Sequence, residues 1–169
     1  YNDGRIVGGT DAKADQASFQ VSIFAYTGWF DWMHICGGSL VGRRSVVTAA
    51  HCCDSFITSE LEARYDGLDY RTLKTINKVT KIDTHEGYNS QSYDWDYCVL
   101  TLRDDIVKSP TVQTIELATS VPPPGSAAHL TGWGVTTESG SSLKGISLDV
   151  PDVLPQPVSS VESIVIGYQ

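Results

Sequence analysis

Four histidines, His34, His51, His85 and His129, are the side chains of this sequence best suited to carry a proton between partners. Imidazole takes up and returns a proton near neutral pH, and a carboxylate held at one ring nitrogen leaves the other free to do so. Such a pair beside a serine makes a nucleophile for carbonyl carbon, which the hydroxyl alone is too weakly acidic to be. The sequence offers His51 in Val46-Val47-Thr48-Ala49-Ala50-His51-Cys52, and Asp94 and Asp96 just ahead of the apolar run Tyr97-Cys98-Val99-Leu100-Thr101-Leu102. Taken singly, each has an ordinary structural reading. A histidine can be satisfied inside a β-protein, and an aspartate at a strand entrance is a common turn residue. The serine-rich stretches Ser139–Ser142 and Ser159-Ser160 lack the glycines that shape a tight nucleophile turn, so neither is nominated.

The elements that must position these groups read as strands. Phe19–Phe24, Gly38–Val41, Ser45–Thr48, Leu61–Tyr65, Leu73–Asp83 and Cys98–Leu102 are short runs rich in apolar and β-branched residues, separated by turn residues. Gly42-Arg43-Arg44 turns the second run into the third, and Gly28, Trp29, Asp31 and Trp32 mark a loop after the first. Helix signal is confined to one short turn at Ala49–Cys53. Val121-Pro122-Pro123-Pro124-Gly125 cannot lie within a central strand and reads as a linker. Beyond it, His129–Val135 and Ile146–Val150 are strand candidates, while Pro151–Ser160 holds too many prolines for regular structure. Many short strands and almost no helix predict an all-β barrel or sandwich.

Composition narrows the class further. Hydrophobic residues make up 41% and charged residues 19% of the 169, which is globular and not disordered. The net charge of −8 argues against nucleic acid and anionic membrane as partners, since either needs a basic face. No apolar run is long enough to cross a bilayer, and no basic, apolar signal peptide opens the sequence. Cys36, Cys52, Cys53 and Cys98 contain no Cys-x-x-Cys pair and no zinc-finger spacing, so a structural metal is not expected. They allow three full pairings, among which spacing does not choose; Cys53 and Cys98 could bridge, stay free, or exchange with Cys52.

Five motifs then fall in one order: Arg5-Ile6-Val7-Gly8-Gly9, Cys36-Gly37-Gly38-Ser39-Leu40, Val46–Cys52, Asp96 heading its apolar run, and Thr131-Gly132-Trp133-Gly134. In this order and spacing the chain resembles the trypsin-like serine proteases. The resemblance implies a chymotrypsin-like antiparallel double β-barrel, the first barrel complete and the second only partial. Residues 1–5 are then an activation-segment remnant, 6–118 the N-terminal barrel, and 119–169 a linker and incomplete second barrel. It further implies that His51 is the general base and Asp96 the carboxylate that orients it, with Cys98 where the family usually has alanine. Asp94 lies two residues too early. Cys36 and Cys52 are the implied disulfide. Arg5 and Ile6 match the junction whose cleavage activates the family's zymogens, and the Gly-Trp-Gly tryptophan is a packing residue. His34 and His85 take loop or strand-end roles, and His129 a structural or exposed one. Asp66 and Asp69 fall where some relatives bind calcium, but their spacing does not match a calcium site, and no cofactor is implied.

The family also requires a Gly-Asp-Ser-Gly-Gly segment carrying the nucleophile, and residues 1–169 contain none. The expectation is therefore a secreted, extracellular serine endopeptidase represented by a truncated chain, inactive as it stands. Its partners would be protein or peptide substrates and protease inhibitors. The rival expectation is a non-catalytic homologue acting as a binding, decoy or regulatory protein, against which the retention of His51 and Asp96 argues.

Overall fold

The computed structural model describes residues 10–28, 31–120, 128–134, 146–150 and 165–167. In chain order the strands are β1 (Thr10–Asp11), β2 (Gln20–Tyr26), β3 (Trp32–Leu40), β4 (Ser45–Thr48), β5 (Leu61–Tyr65), β6 (Thr75–Thr84), β7 (Cys98–Leu102), β8 (Ala128–Gly132), β9 (Ile146–Val150) and β10 (Val165–Gly167). Short 3₁₀ turns cover Ala50–Cys52, Thr58–Glu60 and Tyr70–Thr72. No helix among the described residues is long and apolar enough to cross a membrane.

Strand alternation builds the first barrel. In β7, Cys98, Leu100 and Leu102 are buried while Val99 is exposed, the period of two that one inward face demands. Val21, Ile23 and Ala25 of β2 do the same, and with Leu40, Val46 and Leu61 they fill the interior. The strands close in the order β2-β3-β4-β7-β6-β5, and the pairings are antiparallel. Closure leaves no open edge in this half of the molecule. β2 is buried on its outer face as well, because Phe24 lies under the Arg64 guanidinium, 3.8 Å from its ring centre, and Ser22 meets His34.

A second, four-stranded sheet runs β1-β9-β8-β10. The architecture is thus all-β, with one closed six-stranded barrel and a partial second one. β1 does not join the barrel that follows it in sequence; Thr10 and Asp11 pair with Ser147 and Ile146 of β9. Side chains from β8 and just after it tie the two halves. Thr131 donates to Gln20 Oε1 at 2.7 Å, and the Trp133 indole N–H donates to the Leu68 carbonyl at 2.7 Å. Trp133 is buried, as a packing residue should be.

Several boundaries differ from the sequence reading. β3 begins at Trp32, six residues before the expected start, so Trp32 and His34 are strand residues. Trp32 packs on Tyr26 across the β2–β3 pair and under the Lys78 ammonium, contacts that composition does not reveal. β10 lies in a region given no element by sequence. The expected linker at 121–125 and the irregular tail at 151–160 fall outside the described residues.

Candidate active site

Register places the two groups of interest. β4 and β7 are antiparallel neighbours with Thr48 opposite Cys98 and Val46 opposite Leu100. The chain leaving β4 therefore passes the chain entering β7. His51, three residues beyond Thr48, meets Asp96, two residues before Cys98. Ala49 is extended, and Ala50 opens a 3₁₀ turn that carries His51 over the end of the barrel. Ala50 is fully buried in the core, where a larger side chain would have to displace neighbours.

Asp96 grips His51 at two points. Its Oδ2 lies 2.7 Å from the ring Nδ1, and its Oδ1 accepts the His51 backbone N–H at 2.8 Å. A carboxylate accepts only, so in the neutral imidazole Nδ1 carries the proton and Nε2 keeps its lone pair. Both side chains are partly shielded, at 24% and 21% exposure, so the ring is fixed yet reachable. Tyr93 stands edge-on to the His51 ring, with centroids 5.8 Å apart. Burial, then the Asp96 and Asp54 charges, push the Tyr88 phenol above its ordinary range.

Further contacts hold the turn that bears His51. The Cys36–Cys52 disulfide fastens it to β3. Thr48 Oγ1 donates to the Gly37 carbonyl at 2.8 Å. At Gly38, a Cβ would lie 2.7 Å from Val46 Cγ1 and 3.0 Å from the Val47 carbonyl oxygen. The Cys-Gly-Gly-Ser and Thr-Ala-Ala-His segments are thus two sides of one contact.

The loop leading to Asp96 is strained. Tyr93 and Trp95 both have positive φ, 58° and 56°, in the left-handed region that residues with bulky side chains seldom occupy. Asp94, between them, takes the Ser92 hydroxyl at 2.6 Å and pairs with Asn89 across the turn. Its carboxylate is a turn partner, which leaves Asp96 to His51. Tyr93, against the His51 ring, and Trp95, stacked on His85, are both half-exposed and were not singled out in the sequence. The alternation Tyr93-x-Trp95-x-Tyr97 around Asp96 is the available signal.

The remaining candidates take structural roles. His34, third in β3, lies 2.6 Å from Ser22 Oγ through Nδ1 and stacks on Tyr70, and burial lowers its pKa to about 4. His85 follows β6, stacks on Trp95 and accepts the Gly87 N–H at 3.1 Å. His129 lies in β8, half-buried. Asp69 pairs with Arg71 and Asp66 accepts the Thr111 hydroxyl, so both carboxylates have protein partners. Cys36, His51 and Cys52 place donor atoms within 4.8 Å of one another, but the two sulfurs are bonded together and offer no thiolate to a metal. Arg5 and Ile6 lie outside the described residues.

Comparison with known proteins gives a consistent result. The family profile described as Trypsin matches residues 6–160. The chain is 36% identical over 166 residues to Trypsin delta of Drosophila erecta, covering 98% of this chain and 63% of that protein. It is 36% identical over 139 residues to Trypsin alpha-4 of Lucilia cuprina, 82% and 52% of the two chains. Hypodermin-A of Hypoderma lineatum is 32% identical over 135 residues, 80% and 51%. The chain thus spans at most 63% of the length of these relatives.

Proposed function

Since this chain belongs to the trypsin family of serine proteases, we propose that the complete protein is a secreted serine endopeptidase with His51 as its general base and Asp96 as the carboxylate that orients it. The observation that carries this is the double hold of Asp96 on His51, through ring and backbone at once. Such a hold is more than a turn aspartate needs. It fixes the tautomer, the ring plane and the direction of the Nε2 lone pair.

In this mechanism Nε2 takes the proton of a serine hydroxyl as its oxygen attacks the peptide carbonyl. The imidazolium, stabilised by Asp96, returns the proton to the leaving amine, and water then hydrolyses the acyl-enzyme by the same base. The serine would belong to the part of the family's length that residues 1–169 do not span. Residues 6–118 would furnish the wall with the base and carboxylate, and residues from 119 onward would begin the opposing wall. Cleavage between Arg5 and Ile6 would activate the protein, as in the zymogens that this junction resembles. The Cys36–Cys52 disulfide supports an oxidising, extracellular setting. Protein or peptide substrates and protease inhibitors are the partners this reading implies.

The test is hydrolysis of casein by the complete protein after cleavage at Arg5-Ile6. Activity that His51→Ala abolishes is expected. A folded, cleaved protein with no hydrolysis above the His51→Ala background would favour the non-catalytic homologue.

A further inference from the structure

Two buried thiols that this chemistry does not use lie beside it. Cys98 opens β7 and points inward with Leu100 and Leu102; Cys53 ends the turn that carries His51. Each is 1% exposed, and neither is in a disulfide. Thr48 is the link between them in the sheet: it pairs with Cys98, and the chain then turns through Ala49 so that Cys53 Sγ lies 3.6 Å from the Ala49 carbonyl. Both lie in the same buried core cluster, and the interaction between the two thiols lowers the Cys98 pKa and raises that of Cys53. Thr84 Oγ1, 3.9 Å from Cys98 Sγ, adds a second donor to the same sulfur.

We propose that Cys53 and Cys98 form a second disulfide, a redox-sensitive tie between the segment bearing His51 and the strand entered through Asp96. Cys53 lies two residues after His51 and Cys98 two after Asp96, so the bridge would span the pair whose separation sets the dyad. It would also close the chain from residue 53 to residue 98. That loop is longer than the 16-residue separation of Cys36–Cys52 and constrains the unfolded chain more.

The oxidant is a small-molecule disulfide, and the exchange runs while the chain folds, before burial closes over the sulfurs. The Cys98 thiolate attacks one sulfur of the reagent and expels the first small thiolate. The Cys53 thiolate then attacks the Cys98 sulfur of the mixed disulfide and expels the second. The protein loses two thiol protons and two electrons, and the reagent's S–S bond becomes two thiols.

The test refolds the full chain in a buffer of oxidised and reduced glutathione, quenches exchange with acid, alkylates remaining thiols with N-ethylmaleimide in denaturant near neutral pH, and maps the peptides without reduction. Fragmentation between Cys52 and Cys53 assigns each partner. The expected protein has no alkylated cysteine, a mass lower by four hydrogens than the fully reduced chain, and the linkages 36–52 and 53–98. Alkylation of both Cys53 and Cys98 with 36–52 intact would overturn the proposal, as would a Cys36–Cys53 linkage.

Discussion

Asp96 and His34 show how position divides the work of polar residues. Asp96→Asn leaves the shape of the dyad but lets the amide donate toward Nδ1, which favours the wrong tautomer. In the complete, activated protein kcat is expected to fall by about 10⁴-fold, the loss known for the equivalent change in this family's triad. Steady-state kinetics against a peptide substrate check it. His34 instead tests folding. Its pKa is lowered from 6.5 to about 4 by burial, so between those values only the unfolded chain takes the proton. Stability is therefore full above that window, falls as pH drops through it, and loses nothing more from this group below it. The loss is about 3 kcal/mol at most. Urea midpoints at several pH values, compared with His34→Gln, should show a flatter profile in the variant. At this scale the sequence displayed the dyad because six consecutive residues around His51 carry the resemblance. It did not display the hold on the backbone N–H, which depends on the path of the turn.

Strand-level features were legible where one face alternates with the other. Leu61–Tyr65, Cys98–Leu102 and Ile146–Val150 have the expected bounds. β3 was read short because Cys36-Gly37-Gly38 breaks the apolar pattern, and glycine is a poor strand residue without a tertiary reason. The reason at Gly38 is the close approach of β4. Gly38→Ala is expected to cost about 1–3 kcal/mol, because both neighbours are packed and one is backbone. Denaturant unfolding measures this, and a stability equal to the parent would contradict the contact. Trp133→Phe tests the junction of the two sheets. It keeps an aromatic ring, though a smaller one, and strips the Leu68 carbonyl of its donor, at an expected cost of about 1–3 kcal/mol. β1 and β10 escaped the sequence reading for a different reason. They are two and three residues long, too short for any period to show.

At the scale of the whole molecule, two antiparallel sheets meet through Gln20–Thr131 and Leu68–Trp133, with the dyad at one end of the closed barrel. The fold class was legible from strand density and turn spacing. The contacts between halves were not, because they join residues such as Gln20 and Thr131 that lie far apart in sequence. The Cys36–Cys52 bond supports this arrangement, and its removal in C36A/C52A is expected to lower stability by about 2–4 kcal/mol in denaturant unfolding. The central claim is that His51 and Asp96 serve a serine nucleophile. Its most direct measurement is the intact mass of the complete, Arg5-cleaved protein after exposure to a serine-reactive fluorophosphonate, alongside His51→Ala. One phosphonyl group on the parent and none on the variant is the expected result. An unmodified parent that remains folded, with the Arg5-Ile6 bond demonstrably cut, would contradict it.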